Sequence, residues 1–420
     1  MKKSYNKKTF CVAPWIASHI STWDDITPCC LYKSNGKPIG KTRQGVPFFE
    51  HYNSKEAIKI RKDLWNGKEV SGCQECFFRE KTGSSYRNSL NKVFADDIPE
   101  LIQNTKKDFS LKKPKFKLFD LRFDNKCNLR CRMCSPMFSS SLYKEYKDLG
   151  FKLGHASSFD SPYHIAVNDK EYKFILSQLK NVKVLMFAGG EPLTQDKFYE
   201  ILQYCIDKNL SKNISLWITS NCTKVKYKKY DLIKMLRQFK EVDLSGSIDA
   251  YGERANYMRY PSKWEDVETN ILTFIHSLEN LRFRACPTIQ VQNIYHIFDL
   301  FKYLLINGIC RSGDVRFNIL TFPDHMDIKN LPYYHKKRIL KKCDEMDEWF
   351  ENEGSKYSKN KRDKEQIELL RSLLSKEADN KSFIEFFTKT DIVDKYRGNN
   401  FWSVFTEFEH LDKSNYKWLV

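Results

Sequence analysis

The sequence predicts an α/β fold: six successive strand–helix units forming a parallel sheet, with a small Cys-rich α+β module before them and a helical extension after them. Three observations predict it. Between residues 116 and 325, short apolar runs rich in β-branched and aromatic residues alternate with amphipathic segments of helical period. Before residue 90, five cysteines fall within short motifs. Beyond residue 330 the composition shifts to long helical periodicities and an aromatic-rich tail.

The elements follow in order. Phe10–Ile20 and Trp23–Cys30 read as a hairpin about Ser21-Thr22-Trp23-Asp24-Asp25. Ser54 reads as the N-cap of a helix whose inner stripe is Ala57, Ile58, Arg61, Leu64 and Trp65, stopped by Asn66-Gly67. Residues 1–90 are therefore expected to form one module, and 91–115, with Lys106-Lys107 and Lys112-Lys113-Pro114, a basic linker. Residues 116–325 form the sheet domain, with strands expected at 116–123, 182–188, 214–219, 242–248, 283–291 and 315–320. The helices between them fall at 196–208, 232–239, 267–278 and 294–305. Residues 326–420 are read as an extension with helices at 336–350 and 364–374 and a tail from Phe383 to Leu411.

The chain has 420 residues, enough for one large domain with smaller additions. Charged residues make up 30%, mean hydropathy is −0.60, and no apolar run reaches the about 18 residues of a membrane span. The start, Met1-Lys2-Lys3-Ser4, followed by Pro14, Ser18 and His19, is too polar for a secretory leader, so a cytoplasmic protein is expected. Of the thirteen cysteines, eight lie in motifs, the pattern of metal ligands rather than disulfides; Cys205, Cys222, Cys286, Cys310 and Cys343 stand singly and read as buried apolar residues. The net charge of +18 favours an acidic partner or a solvated basic surface.

The chemistry begins at Lys126-Cys127-Asn128-Leu129-Arg130-Cys131-Arg132-Met133-Cys134, directly after the first sheet strand. An iron–sulfur cube has four irons, each wanting a ligand. Three thiolates, Cys127, Cys131 and Cys134, leave one iron open to another molecule. The next strand ends in Gly189-Gly190-Glu191-Pro192, where glycines admit close backbone approach and a carboxylate can meet a cation. Small polar residues close the following strands: Thr219-Ser220-Asn221, then Ser247-Ile248-Asp249. Together these motifs resemble the radical S-adenosylmethionine (radical SAM) superfamily. The resemblance implies a partial (β/α)6 TIM-type barrel whose [4Fe–4S] cluster, on Cys127, Cys131 and Cys134, reduces SAM to methionine and a 5′-deoxyadenosyl radical. It further implies that Gly189, Gly190 and Glu191 hold the methionine ammonium, that Ser220, Asn221, Ser247 and Asp249 contact SAM, and that Val291 and Asn293 lie near adenine. Met133 stands where many members carry an aromatic residue, and its soft side chain can still pack against adenine.

Four more ligands can be drawn from Cys11, Cys29 or Cys30, Cys73 and Cys76; structural zinc and an iron–sulfur cluster both satisfy that count. Beside the core motif, residues 10–90 resemble the SPASM and twitch domains of the same superfamily, implying one auxiliary [4Fe–4S] cluster. Cys11, Cys29, Cys73 and Cys76 are the preferred set. The N-terminal placement, Asn318–Pro323 and Asp394–Phe401 resemble a branch carrying a twitch-like domain ahead of the barrel. Cys222, with Cys286 as a second candidate, is placed as a hydrogen-atom donor against the alternative of simple packing; Arg254, Arg259 and Arg284 are candidate anchors for an anionic group. The resemblance implies a peptide or small-metabolite substrate and an electron donor such as flavodoxin or ferredoxin. Two competing readings are a radical SAM enzyme acting on RNA, supported by charge alone, and a non-catalytic zinc- or cluster-binding interaction protein.

Overall fold

The computed structural model describes residues 5–33, 37–80, 85–158 and 161–408. The basic start Met1–Ser4 and residues 409–411 of the tail lie outside them. Among the described residues the strands are β1 (Ala17–Ile20), β2 (Asp25–Thr27), β3 (Gly40–Lys41), β4 (Leu118–Leu121), β5 (Val184–Phe187), β6 (Ser215–Ser220), β7 (Lys226–Tyr227), β8 (Tyr230–Asp231), β9 (Glu241–Gly246), β10 (Leu281–Ala285), β11 (Thr288–Ile289) and β12 (Asn318–Ile319). Eight of them form one sheet in the order β10-β9-β6-β5-β4-β1-β2-β3. It is an α/β fold with a mostly parallel sheet: β1 pairs with β4, β4 with β5 and β5 with β6 in parallel, while β1–β2 and β2–β3 are antiparallel. No described helix is long and apolar enough to cross a membrane.

Two compact units divide the chain: residues 1–126, 155–218 and 230–242 make the first, and residues 127–154, 219–229 and 243–420 the second. In the first, the expected hairpin forms with a shorter leading arm. Ala13–Ile16 is a turn of helix with Pro14 in its first turn, where a missing N–H costs nothing, and the strand begins only at Ala17. Asp24 takes φ +74° in the hairpin turn, a conformation Asp tolerates better than most residues. Its carboxylate lies 3.2 Å from Arg43 Nε and 3.1 Å from His164 Nε2. The helix Lys55–Trp65 is capped as its sequence implies, Ser54 Oγ accepting from Ala57 N at 3.2 Å.

Residues 91–115 are folded rather than extended. Helices Tyr86–Val93 and Ile98–Asn104 lead to a bridge between Thr105 and Leu111. Leu90, Phe94, Leu101, Phe109 and Leu111 join Phe10, Trp15, Trp65 and Leu118 in one core, while Lys106, Lys107, Lys112 and Lys113 face solvent. The basic residues are outside and the interleaved apolar ones inside. The N-terminal hairpin likewise lies in the sheet, His19 opposite Asp120 and Ile20 opposite Leu121.

In the second unit the expected fifth strand is broken. Pro287 has no N–H for a ladder, so β10 ends at Ala285 and β11 is a separate short strand. The sixth strand, β12, pairs in parallel with β11 in its own two-stranded ladder. Helices Tyr333–Glu351, Lys361–Leu374 and Asn380–Arg397 make up the C-terminal part. There Phe387 stacks on Trp402 at 5.2 Å, and Phe401 and Phe405 pack against Tyr257.

Candidate active site

In the first unit, the chain leaves β4 through Phe123 into Asp124-Asn125-Lys126, whose next residue is Cys127. The turn after β5 closes on this segment. Gly189 and Gly190 both have positive φ, +76° and +54°. A Cβ on Gly190 would sit 2.3 Å from the Lys126 carbonyl oxygen, so only glycine fits. Glu191 N donates to the same oxygen at 2.7 Å, and Gln195 Nε2 donates to Asp124 Oδ1 at 2.7 Å. The Glu191 carboxylate is buried and accepts from Leu193 N at 3.1 Å, capping the turn that follows. Asp124 and Gln195 were not singled out by sequence; the signal was their position beside the two motifs.

The first unit also holds the N-terminal cysteines. Cys11, Cys29, Cys73 and Cys76 line one cavity together with Tyr32, Tyr86 and Arg87. Burial pushes the Cys11 and Cys73 thiols up to about 12 and raises those of Cys29 and Cys76. Thiolates in such a place need compensating positive charge, which a metal cluster supplies. Arg87 N donates to Cys76 Sγ at 3.3 Å, and its guanidinium pairs with Glu80. Cys30 does not line this cavity; its thiol faces Asp120. Among the described residues no group of three or more His, Cys, Asp or Glu side chains is drawn together as around a single metal ion.

The second unit carries Cys127, Cys131 and Cys134 in a loop fixed by its own residues. Cys134 N donates to Cys131 O at 3.1 Å, Ser141 Oγ to Cys127 O at 2.6 Å, and Tyr146 Oη to Cys134 O at 3.1 Å. Asn128 ties the loop to the end of β6: Asn221 Nδ2 donates to Asn128 Oδ1 at 3.0 Å, and Asn128 Nδ2 to Thr223 Oγ1 at 2.9 Å. Arg130 N and Arg132 N donate to the carbonyls of Tyr260 and Met258. Burial raises the Cys131 thiol and pushes that of Cys134 up to about 12, and Arg259 Nη1 lies 3.8 Å from Cys131 Sγ. A guanidinium at that distance favours thiolate, so the donor set suits an anionic sulfur cluster.

The strand-end residues are more committed than their positions implied. Asp249, 1% exposed, accepts from Thr288 N at 2.7 Å and holds Arg259 at 2.7 Å. Asn293 donates to the carbonyls of Asp249 and Thr288 and accepts from Gln290 N, so its amide staples the backbone. Ser220 Oγ accepts from Cys222 N at 2.9 Å, and Ser247 N donates to Ser220 O at 2.8 Å. Val291 is fully buried. Cys222, at φ +58°, is fully buried, and its Sγ would lie 3.4 Å from a Cβ on Gly246. Of the candidate anion anchors, Arg254 is held by Glu407, Arg284 by Asp243 and Arg259 by Asp249; Arg259 also lies beside the loop thiols.

The tail motif Asp394–Phe401 also reaches the loop. Arg132 pairs with Asp394, whose carboxylate also accepts from Tyr257 Oη at 2.7 Å and from Phe401 N at 2.6 Å. Arg397 forks onto Glu145 at 2.6 and 2.9 Å, and Tyr396 Oη donates to Asp148 at 2.7 Å. Arg397 and Glu145 side chains are 1% and 2% exposed, a buried pair that is costly unless well bonded.

A mostly parallel α/β sheet thus carries C-x3-C-x2-C in sequence after a core strand, with a glycine turn closing on that strand's exit. Residues 121–282 match the family model described as Radical SAM superfamily. No curated protein matches the sequence. Among solved structures, it is similar to native anSMEcpe with bound AdoMet, at 18% identity over 57% of this chain and 62% of that one, TM-score 0.40. It is also similar to SuiB of Streptococcus suis bound to S-adenosylmethionine, at 14% identity over 68% of this chain and 61% of that one, TM-score 0.36. The chain thus spans about three fifths of the length of these structures.

Proposed function

We propose that the chain is a radical SAM enzyme that abstracts hydrogen from a peptide or small-metabolite substrate and carries a second cluster in its N-terminal part. The observation that carries the reading is the clamp of Gly190 and Glu191 on Lys126, the residue before Cys127. It fixes the glycine turn on the segment that precedes Cys127 in sequence. When bound, the core cluster and SAM would together supply a 5′-deoxyadenosyl radical. Cys127, Cys131 and Cys134 would hold the cluster, with Arg259 balancing its charge. Gly189–Glu191 would receive the methionine ammonium, and Ser220, Asn221, Ser247, Asp249, Val291 and Asn293 would line or brace the SAM pocket.

Cys11, Cys29, Cys73 and Cys76 are proposed as ligands of the auxiliary [4Fe–4S] cluster; their shared cavity, which excludes Cys30, supports that set. The twitch-like identity of residues 1–90 rests on these cysteines and the helix before Cys73. Cys222 keeps its place as a proposed hydrogen-atom donor through its position after Asn221. A flavodoxin or ferredoxin is the proposed electron source.

Iron counting tests the two-site reading. Anaerobically reconstituted protein should hold about eight irons, and the Cys127→Ala/Cys131→Ala/Cys134→Ala variant about four. A variant with no iron would remove the auxiliary cluster, and zinc analysis would then identify a structural site.

A further inference from the structure

We infer that His19, Asp120 and Arg122 form a binding site for an uncharged primary amide group of the substrate; this rests on the reading of the chain as an enzyme. β1 and β4 pair in parallel with His19 directly opposite Asp120. The two-residue period of a strand puts Arg122 on the face of Asp120. His19 is 7% exposed and Asp120 1%, so each polar atom needs a partner within the protein or from a ligand.

The hydrogen-bond directions decide what that partner is. Thr27 Oγ1 donates to Cys29 O at 3.0 Å. Having spent its proton, it accepts from His19 Nδ1 at 2.9 Å. The imidazole therefore carries its hydrogen on Nδ1 and leaves Nε2 as a bare acceptor. Burial holds the ring neutral, its pKa lowered to about 4, with the Asp120 charge opposing that shift and Arg122 adding to it. His19 Nε2 lies 3.9 Å from Asp120 Oδ2, acceptor facing acceptor; no N–H or hydroxyl among the described residues bonds either atom or Asp120 Oδ1, and the Cys30 thiol is the one donor toward the carboxylate. A nitrogen about 2.9 Å from both atoms completes the triangle, and an –NH2 group has one hydrogen for each.

The third group supplies the complement. Arg122 Nε is 3.6 Å from Asp120 Oδ1, buried and unbonded, a donor for a carbonyl oxygen. Two acceptors and a donor match a carboxamide. Asp120 and Arg122 cancel in charge, which disfavours an ammonium or a carboxylate in the same place. Thr22 Oγ1 is also buried and unpartnered, and the missing Cβ of Gly189 would lie 2.9 Å from both Thr22 Cγ2 and Arg122 Cβ. The site thus lies under the glycine turn. It also adjoins the four-thiol cavity, because Cys29 lines that cavity while the next residue, Cys30, faces Asp120.

The test is thermal unfolding of the anaerobically reconstituted full chain with small probes at equal ionic strength. Acetamide should raise the midpoint saturably; N,N-dimethylacetamide, which has no N–H, should not. Asp120→Asn places an N–H opposite His19 Nε2, so it should unfold at a higher temperature than wild type and lose the acetamide response. Equal responses to the two amides, or none, would overturn the site and leave water as its only occupant. A rise with ethylammonium alone, or propionate alone, would overturn the amide assignment in favour of a cation or anion site. Formation of 5′-deoxyadenosine is scored on the same preparation. Activity without an acetamide response removes the site and keeps the enzyme reading; an acetamide response without activity does the reverse.

Discussion

At φ +54°, with the place of a Cβ 2.3 Å from a carbonyl oxygen, Gly190 admits no side chain. Gly190→Ala should lower stability by more than Gly150→Ala, which has a similar φ of +66° but open space around it. The left-handed conformation alone costs about 1–2 kcal/mol, so the excess in urea unfolding reads the clash with Lys126. His19 gives a pH prediction. Its pKa falls from 6.5 to about 4 in the folded state, so the unfolded chain binds more protons between those values. Stability therefore rises with pH across that window and is complete above about 6.5, by at most about 1.4 kcal/mol per pH unit. His19→Gln should flatten this slope; an unchanged slope would show that other groups set it. At this scale residue type and spacing single out Cys127, Cys131, Cys134 and Gly189–Glu191 as the candidate chemistry. Sequence is silent where a role comes from tertiary neighbours. Arg259 is one of three candidate anion anchors in the sequence, and only folding sets it 3.8 Å from Cys131 Sγ; Asp249 and Asn293 spend their polar atoms on backbone and Arg259.

The helix Asn380–Arg397 ends in the residues that grip Arg132 in the three-thiol loop and Glu145 beyond it. Breaking a buried pair leaves the partner charge stranded, at a cost of about 3–5 kcal/mol. Arg397→Ala should therefore destabilise the second unit by that order and release about four irons on reconstitution. Arg397→Lys, which keeps the charge but not the fork onto Glu145, should fall between it and wild type. Wild-type iron content in Arg397→Ala would show that the loop does not depend on the tail. The strand–helix alternation was legible from periodicity, and Ser54 and Asn66-Gly67 bounded their helix as expected. Pairing was not legible. Local pattern shows that Ala17–Ile20 is extended, but its parallel partner β4 lies about a hundred residues on in sequence. In residues 91–115 the paired lysines Lys106-Lys107 and Lys112-Lys113 suggested a linker, yet Leu101, Phe109 and Leu111 are enough to bind the segment to the core.

Across the molecule, 71 basic against 53 acidic residues leave a charge of +18. The competing RNA reading predicts binding that weakens steeply with salt, as released counterions require. A gel shift with no salt slope would remove it. The central claim is that the three-thiol loop makes this chain a SAM-cleaving enzyme. The direct measurement is 5′-deoxyadenosine formed from SAM by anaerobically reconstituted, dithionite-reduced protein, with iron content verified. Wild type should form it, and the Cys127→Ala/Cys131→Ala/Cys134→Ala variant, still holding its N-terminal cluster, should form none. Iron-replete wild type that forms none, or a triple variant that forms as much as wild type, would contradict the account.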